Sequence, residues 1–222
     1  MHKMHGSPKT SSGPETAGLT IHWASQYDVL SSLTGLGVNS RNSRMIVEMA
    51  GIKSGDKVLD VGCGTGNLTL TVQAYIGTSA AAYGIDAAPE MIAAARDKAR
   101  RRGAATVFDV GLIEKLAFPE ATFDVVLSRL MVHHLPDDLK RQGFAEILRV
   151  LKPGGLFFLA DFKPPSNPIL AHLASIVAGH RMMHYDVGSI PSMLSEAGFT
   201  AVAAGPTRSA FLAFVSGKKP AM

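Results

Sequence analysis

At 222 residues with a formal net charge of +4, the chain is long enough for one α/β domain with a full core, short for two, and too weakly basic for a dedicated nucleic-acid binder. Its single cysteine, Cys63, excludes an intramolecular disulfide and a cysteine-rich zinc site, and fits a reducing cytoplasm. The N-terminus has no apolar signal core, and no later segment supplies about 18 uncharged apolar residues in a row, so the sequence predicts a cytoplasmic protein without stable membrane insertion.

In chain order, residues 1–18 are rich in Ser, Thr, Gly and Pro and read as a disordered leader, with residues 19–222 forming one domain. Trp23, Tyr27, Leu30 and Leu33 fall at helical spacings, and a second helix is expected from about Ser40 to Ala50. Then strand runs alternate with helices: "KVLDV", "AAYGID", "ATVFDV", "TFDVVLS" and "GLFFLAD". Such alternation builds a mainly parallel sheet covered on both faces. Pro89 opens one helix, Gly103 closes it, and "KPGG" at Lys152 to Gly155 is expected to end the helix before the fifth strand. Between residues 162 and 189 the pattern breaks into a proline-led apolar run that ends in His180, Arg181, His184 and Tyr185, an insertion placed to carry specificity. The tail reads as two strands around a Gly205-Pro206 turn, a hairpin-like end that brings the sheet to seven strands.

The chemistry concentrates in "VLDVGCGTGN". Gly62, Gly64 and Gly66 occupy the turn after the first strand, where an open α/β sheet binds its ligand. The G-x-G-x-G spacing differs from the G-x-G-x-x-G of dinucleotide binders, with Asn67 where their third glycine stands, and there is no P-loop pattern. About 20 residues on, Asp86 ends the second strand, where its carboxylate is placed either to accept hydrogen bonds from a ribose diol or to cap the helix that starts at Pro89.

From "VLDVGCGTGN" through "GIDAAPEMI", "EKLAFPEATFDVVLS" and "HHLPDD" to "EILRVLKPGGLFFLAD", the chain resembles the class I S-adenosylmethionine-dependent methyltransferases, and among them the ubiquinone/menaquinone-biosynthesis-type group. The resemblance covers roughly Lys53 to Phe162 and implies a Rossmann-like doubly wound, mostly parallel seven-stranded sheet with an antiparallel C-terminal strand. It implies S-adenosyl-L-methionine as the methyl donor, with Asp60 and Gly62 along its methionyl part and Gly64 and Gly66 lining its approach. Asp86 is implied to hold the ribose hydroxyls, Ala87 and Met91 to pack the adenine, and Leu112 and Ile113 to offer backbone groups to the adenine edge. Ser128 is implied on the cofactor side, and Tyr27 from a lid formed by residues 19–50. Leu112 stands where many relatives carry an acid, which leaves that contact missing or supplied by Asp109.

A sulfonium donor needs mainly an in-line nucleophile and a dry site, with a base where the nucleophile carries a proton. "SRLMVHHLP" follows the fourth strand and makes Arg129, His133 and His134 the catalytic candidates. Against this stand a histidine that satisfies a backbone carbonyl and an arginine in a structural salt bridge. A metal site lacks ligand spacing to support it. The basic run "RDKARRR" reads as the solvated face of a sheet-covering helix. A proline-aromatic motif of base-methylating enzymes is absent after the fourth strand, which favours a small, lipophilic acceptor over nucleic acid. The apolar run Pro168 to Ala178 reads as a wall for that acceptor, a homodimer contact or core. A non-catalytic S-adenosylmethionine-binding regulator and an NAD-dependent oxidoreductase are the alternative functions.

Overall fold

The computed structural model describes residues 40–163 and 186–221. The leader, Tyr27 and most of the 162–189 insertion lie outside the described residues. Strands β1 (Val58–Val61), β2 (Ala82–Asp86), β3 (Val107–Val110), β4 (Phe123–Arg129), β5 (Leu151–Phe162), β6 (Thr200–Pro206) and β7 (Leu212–Lys218) form one sheet in the order β3-β2-β1-β4-β5-β7-β6. All neighbouring pairs from β3 through β5 are parallel, and β7 runs antiparallel to both β5 and β6. The expected fold class is therefore the observed one.

Helices α1 (Ser40–Met49), α2 (Asn67–Ile76), α3 (Pro89–Arg102), α4 (Asp137–Val150) and α5 (Ile190–Glu196) cover the sheet. In α4, Lys140, Gly143, Phe144, Ile147 and Val150 are buried at three- and four-residue spacings, one apolar stripe on a helix otherwise polar. It packs with α5 on a core that includes Phe123, Val126, Phe157 and Leu159. On the opposite face, Met45 and Ile46 of α1 and Leu68, Val72 and Ile76 of α2 pack on Val58, Val125, Leu127 and Phe158. Pro89 stands in the first turn of α3 and Gly103, at φ 58°, ends it by donating to the carbonyls of Ala99 and Arg100, as the sequence leads one to expect.

Two local expectations need correction. Gly205 and Pro206 are not the turn; they pair with Phe214 and Ala213 inside the β6–β7 ladder, and the chain reverses over residues 207–211. Proline is tolerated there because β6 is an edge strand with one side free of ladder bonds. Similarly, "KPGG" does not separate helix from strand, because α4 ends at Val150 and β5 begins at Leu151. These residues instead form an irregularity within β5, where the register to β4 shifts between Phe123 and Val125.

Strand order reverses between β1 and β4, both parallel and both starting their outward connections at the carboxyl edge. That edge collects the glycine turn after β1, Asp86 at the end of β2 and the His133 segment after β4. Among the described residues, no helix is long and apolar enough to cross a membrane.

Candidate active site

The glycine turn is shaped by what each of its glycines faces. A Cβ on Gly66, at φ 80°, meets Phe108 at 2.7 Å and Ala95 at 3.0 Å, so this position lets β3 and α3 press against the turn. A Cβ on Gly64, at φ 53°, meets nothing within 4 Å among the described residues, which leave its side of the backbone open. Gly62 faces Met131, whose Cγ lies 2.3 Å from where a Cβ belongs. The turn thus has one packed side, one open side and a methionine from the β4 connection seated on its start.

Asp86 binds the same turn. One carboxylate oxygen accepts from Gly64 N at 2.9 Å and the other from Ala88 N at 2.9 Å. The helix cap residue, Ala88, has no side chain that can cap, and Asp86 both receives the Ala88 amide and ties the β2–α3 connection to the glycine turn. A carboxylate oxygen offers two acceptor sites, so each retains capacity for a hydroxyl. Burial raises the Asp86 pKa, with the two backbone bonds opposing. Behind the turn, Asp60 is buried and accepts from Thr69 Oγ1 at 2.7 Å. Burial pushes its pKa up to about 6, against the pull of Thr69 and of the Arg129 charge, with Asp86 adding to the rise. Cys63, also buried, is held as a thiol by desolvation.

The remaining candidates divide. The Ser128 hydroxyl is fully buried and donates to Val61 O at 2.9 Å, which places it in the β1–β4 pairing. Arg129, also buried, donates to Ser43 Oγ at 2.8 Å and so fastens α1 to the end of β4. Met91 is buried, Ala87 is half-buried, and Ile113 packs its side chain against Gly143 of α4. Leu112 forms an isolated bridge to Lys115, which leaves its backbone in a tight turn beyond β3. Asp109 is no substitute for the missing acid: its carboxylate pairs with Arg96 at 2.6 Å on an exposed surface.

His133 and His134 lie in a one-turn 3-10 helix, Val132–His134, after a sharp exit from β4 in which Leu130 adopts φ 53°. Such a conformation is strained for a leucine and persists where surrounding contacts enforce it. Here Leu130 N donates to Ala160 O at 3.0 Å. The next residues of β5 explain the rest. Asp161, fully buried, accepts from His133 N at 3.0 Å through one oxygen, and through the other meets His133 Nδ1 at 2.6 Å and Phe162 N at 2.8 Å. An acceptor-only carboxylate fixes the proton on Nδ1 and leaves Nε2 as the basic nitrogen. Sequence reasoning passed over Asp161, although its place at the end of an apolar strand beside the histidine-bearing connection is the signal. His134 lies beside it, ring centroids 4.0 Å apart and the planes tilted by 44°, with its pKa lowered to about 4 by burial and then by the His133 charge.

The family model described as "Methyltransferase domain" matches residues 58–155, the stretch from β1 into β5 that holds the glycine turn, Asp86 and His133 but not Asp161. The "Ubiquinone/menaquinone biosynthesis C-methyltransferase UbiE" of Azotobacter vinelandii is 28% identical over 237 residues, covering 96% of this chain and 93% of that protein. Among solved structures, a SAM-dependent methyltransferase from Aquifex aeolicus superposes with TM-score 0.70 at 21% identity, over 88% of this chain and 98% of the other. The chain is a class I S-adenosylmethionine-dependent methyltransferase. The [4+2]-cyclase SpnF shares the fold at TM-score 0.71 and 18% identity, over 90% of this chain and 94% of the other, a reminder that the sheet alone does not fix the chemistry.

The methyltransferase has a turn that fits its donor. The side of Gly64 left open admits close backbone approach, and the residual acceptor sites of Asp86 suit a ribose diol. S-adenosylmethionine held there would supply an electrophilic methyl group. The buried Asp60 carries a stability cost that can be measured. Because its pKa is raised in the folded state, folding takes up a proton between about pH 4 and about pH 6, and stability falls across that window to a lower plateau above it. Asp60→Asn, which keeps an acceptor for Thr69, is expected to raise stability at pH 8 by on the order of 2 kcal/mol, the gain fading to nothing by about pH 4. Thermal unfolding across pH checks this; an equal shift at pH 4 and pH 8 rejects it.

Proposed function

We propose that this enzyme methylates a small, lipophilic acceptor bearing an aromatic hydroxyl group, at ring carbon or at the hydroxyl oxygen, with His133 as general base. The observation that carries the proposal is the Asp161–His133 contact of 2.6 Å at the carboxyl edge of the sheet, with the same carboxylate also holding the His133 amide. A base oriented this firmly serves a nucleophile that must lose a proton. A neutral amine attacks through a lone pair it already has, whereas a neutral phenol becomes strongly nucleophilic, at oxygen and at the ring carbons, only as its proton leaves. In the step, the hydroxyl proton passes to Nε2 of His133, a carbon–carbon or carbon–oxygen bond forms to the methyl group, and the methyl–sulfur bond breaks. In carbon methylation the dienone so formed then gives up its ring proton to water as His133 returns its own proton to the oxygen, which restores the aromatic hydroxyl and frees the base. Asp86, Gly64, Asp60, Ala87, Met91 and the backbone at Leu112 and Ile113 hold the donor, and Met131 and Arg129 border the approach from β4.

The name of the Azotobacter relative, a ubiquinone/menaquinone biosynthesis C-methyltransferase, favours carbon as the acceptor atom. The deciding assay supplies labelled S-adenosylmethionine with a prenylated hydroquinone, a short thiol or a primary amine, and locates the new methyl group by mass spectrometry and NMR. Label on the hydroquinone is expected. Transfer to the amine or thiol with none to the hydroquinone rejects the proposal.

A further inference from the structure

The helix α3 carries a basic run, Arg96 to Arg102, whose members face different ways. Arg96 reaches across to Phe108 O and Asp109, and Arg100 and Arg101 pair with Asp97 on the surface. Lys98 does not follow them. Its ammonium donates to Thr65 Oγ1 at 2.8 Å, on the glycine turn, and to Asn67 Oδ1 at 3.0 Å, the first residue of α2. Thr65 is a buried polar residue, and Asn67 Nδ2 also approaches its hydroxyl, at 3.4 Å.

The placement of Lys98 follows from the packing. It lies one turn beyond Ala95, the α3 residue that abuts Gly66, so the same helix face that presses on the turn also presents the lysine to it. Thr65 stands between Gly64, whose side is open, and Gly66, whose side is packed. Its hydroxyl therefore fixes how the open backbone sits relative to α3. A cation at the amino end of α2 gains nothing from the helix dipole, which favours anions there, and the Thr65 and Asn67 oxygens are acceptors that hold it against the turn.

We propose that Lys98 is a positioning residue for the methyl donor: by bridging Thr65 and Asn67 it clamps the outer side of the Gly62–Gly66 turn in the conformation that receives S-adenosylmethionine. The inference rests on the assignment of that turn as the donor site. Asn67, at the position where a dinucleotide fold carries its third glycine, supplies one of the two acceptors, so the departure from that spacing has a structural use.

The test is calorimetric titration with S-adenosylmethionine of the wild type, Lys98→Met, Lys98→Arg, Thr65→Val and the Thr65→Val/Lys98→Met double variant, with Tm and kinetics for each. Lys98→Met is expected to raise Kd and the KM for the donor about 5- to 10-fold, the loss of one or two hydrogen bonds from a charged group, with kcat at saturating donor held within about 2-fold. Lys98→Arg, which keeps a donor for each acceptor, should recover most of that affinity. In the Thr65→Val background the Lys98→Met effect should shrink well below its value alone, since the pair acts as a unit. An unchanged Kd in Lys98→Met, whatever its Tm, overturns the proposal, as does an undiminished effect in the Thr65→Val background. A wild type that does not bind the donor overturns the site assignment itself, an outcome distinct from either.

Discussion

His133→Ala is expected to lower kcat by about 10²- to 10⁴-fold, the range that a positioned general base contributes. Donor binding should persist, because the turn and Asp86 are built from β1, β2 and α3, and the histidine belongs to the β4 connection. Asp161→Asn should lose nearly as much activity without removing the base. An amide can face His133 Nδ1 through its NH2 group, which moves the imidazole proton to Nε2 and leaves the wrong nitrogen basic. The buried carboxylate also holds the amides of His133 and Phe162, so a control is needed to separate positioning from collapse. Asp161→Asn retains an oxygen for one of these, and its Tm and donor affinity should stay near those of the wild type while kcat falls. The neighbouring histidine offers a second control. With its pKa lowered to about 4, His134 is neutral throughout the range in which enzymes of this kind work, and it is a weak base. His134→Gln should therefore keep kcat near that of the wild type, whereas His133→Ala should lose most of it. Activity that survives His133→Ala and vanishes in His134→Gln reverses the assignment.

How much of this was readable beforehand depends on whether the information was local. The alternation of strand and helix, the helix limits at Pro89 and Gly103, the glycine turn and its link to Asp86 were legible because each is written in neighbouring residues or in a fixed offset. Asp161 was not, because it becomes a histidine partner only once β5 lies beside β4. In that register Arg129 is opposite Ala160, which puts Asp161 next to the segment that leaves β4. Lys98 was hidden for the opposite reason. Its local context, a run of basic residues, argued for solvent, and only the packing of Ala95 on Gly66 turns one of them inward. The misplaced Gly205-Pro206 turn has a local cause too: a Gly-Pro pair signals reversal, but an edge strand can carry a proline, and the pairing with β7 continues through it. The Ser128 bond was likewise hidden until the strands paired, since a hydroxyl at the end of β4 finds Val61 O directly across the ladder.

Asp86→Ala should weaken binding of S-adenosylmethionine by about 100- to 1000-fold, on the order of 3 to 4 kcal/mol for two hydrogen bonds to a charged group. The effect has two parts that act together. The carboxylate would no longer meet a ribose diol, and the amides of Gly64 and Ala88 would lose the acceptor that holds the two connections in register. Titration with S-adenosylhomocysteine separates these from simple charge attraction, because that molecule shares the ribose and lacks the sulfonium. An equal loss for both ligands assigns the interaction to the sugar. A loss confined to the charged donor points to long-range attraction, and a loss under about 3-fold reduces Asp86 to a residue that shapes its own turn. The wild type carries an internal version of the same experiment. Because burial raises the Asp86 pKa, its carboxylate takes up a proton at higher pH than an ordinary aspartate does, so donor affinity should begin to fall while exposed carboxylates are still ionised. Asp86→Asn, which does not titrate, should bind weakly at every pH and show no such fall. Persistence of that acid-side loss in Asp86→Asn would move the titrating group to Asp60, whose pKa of about 6 makes it the next carboxylate behind the turn.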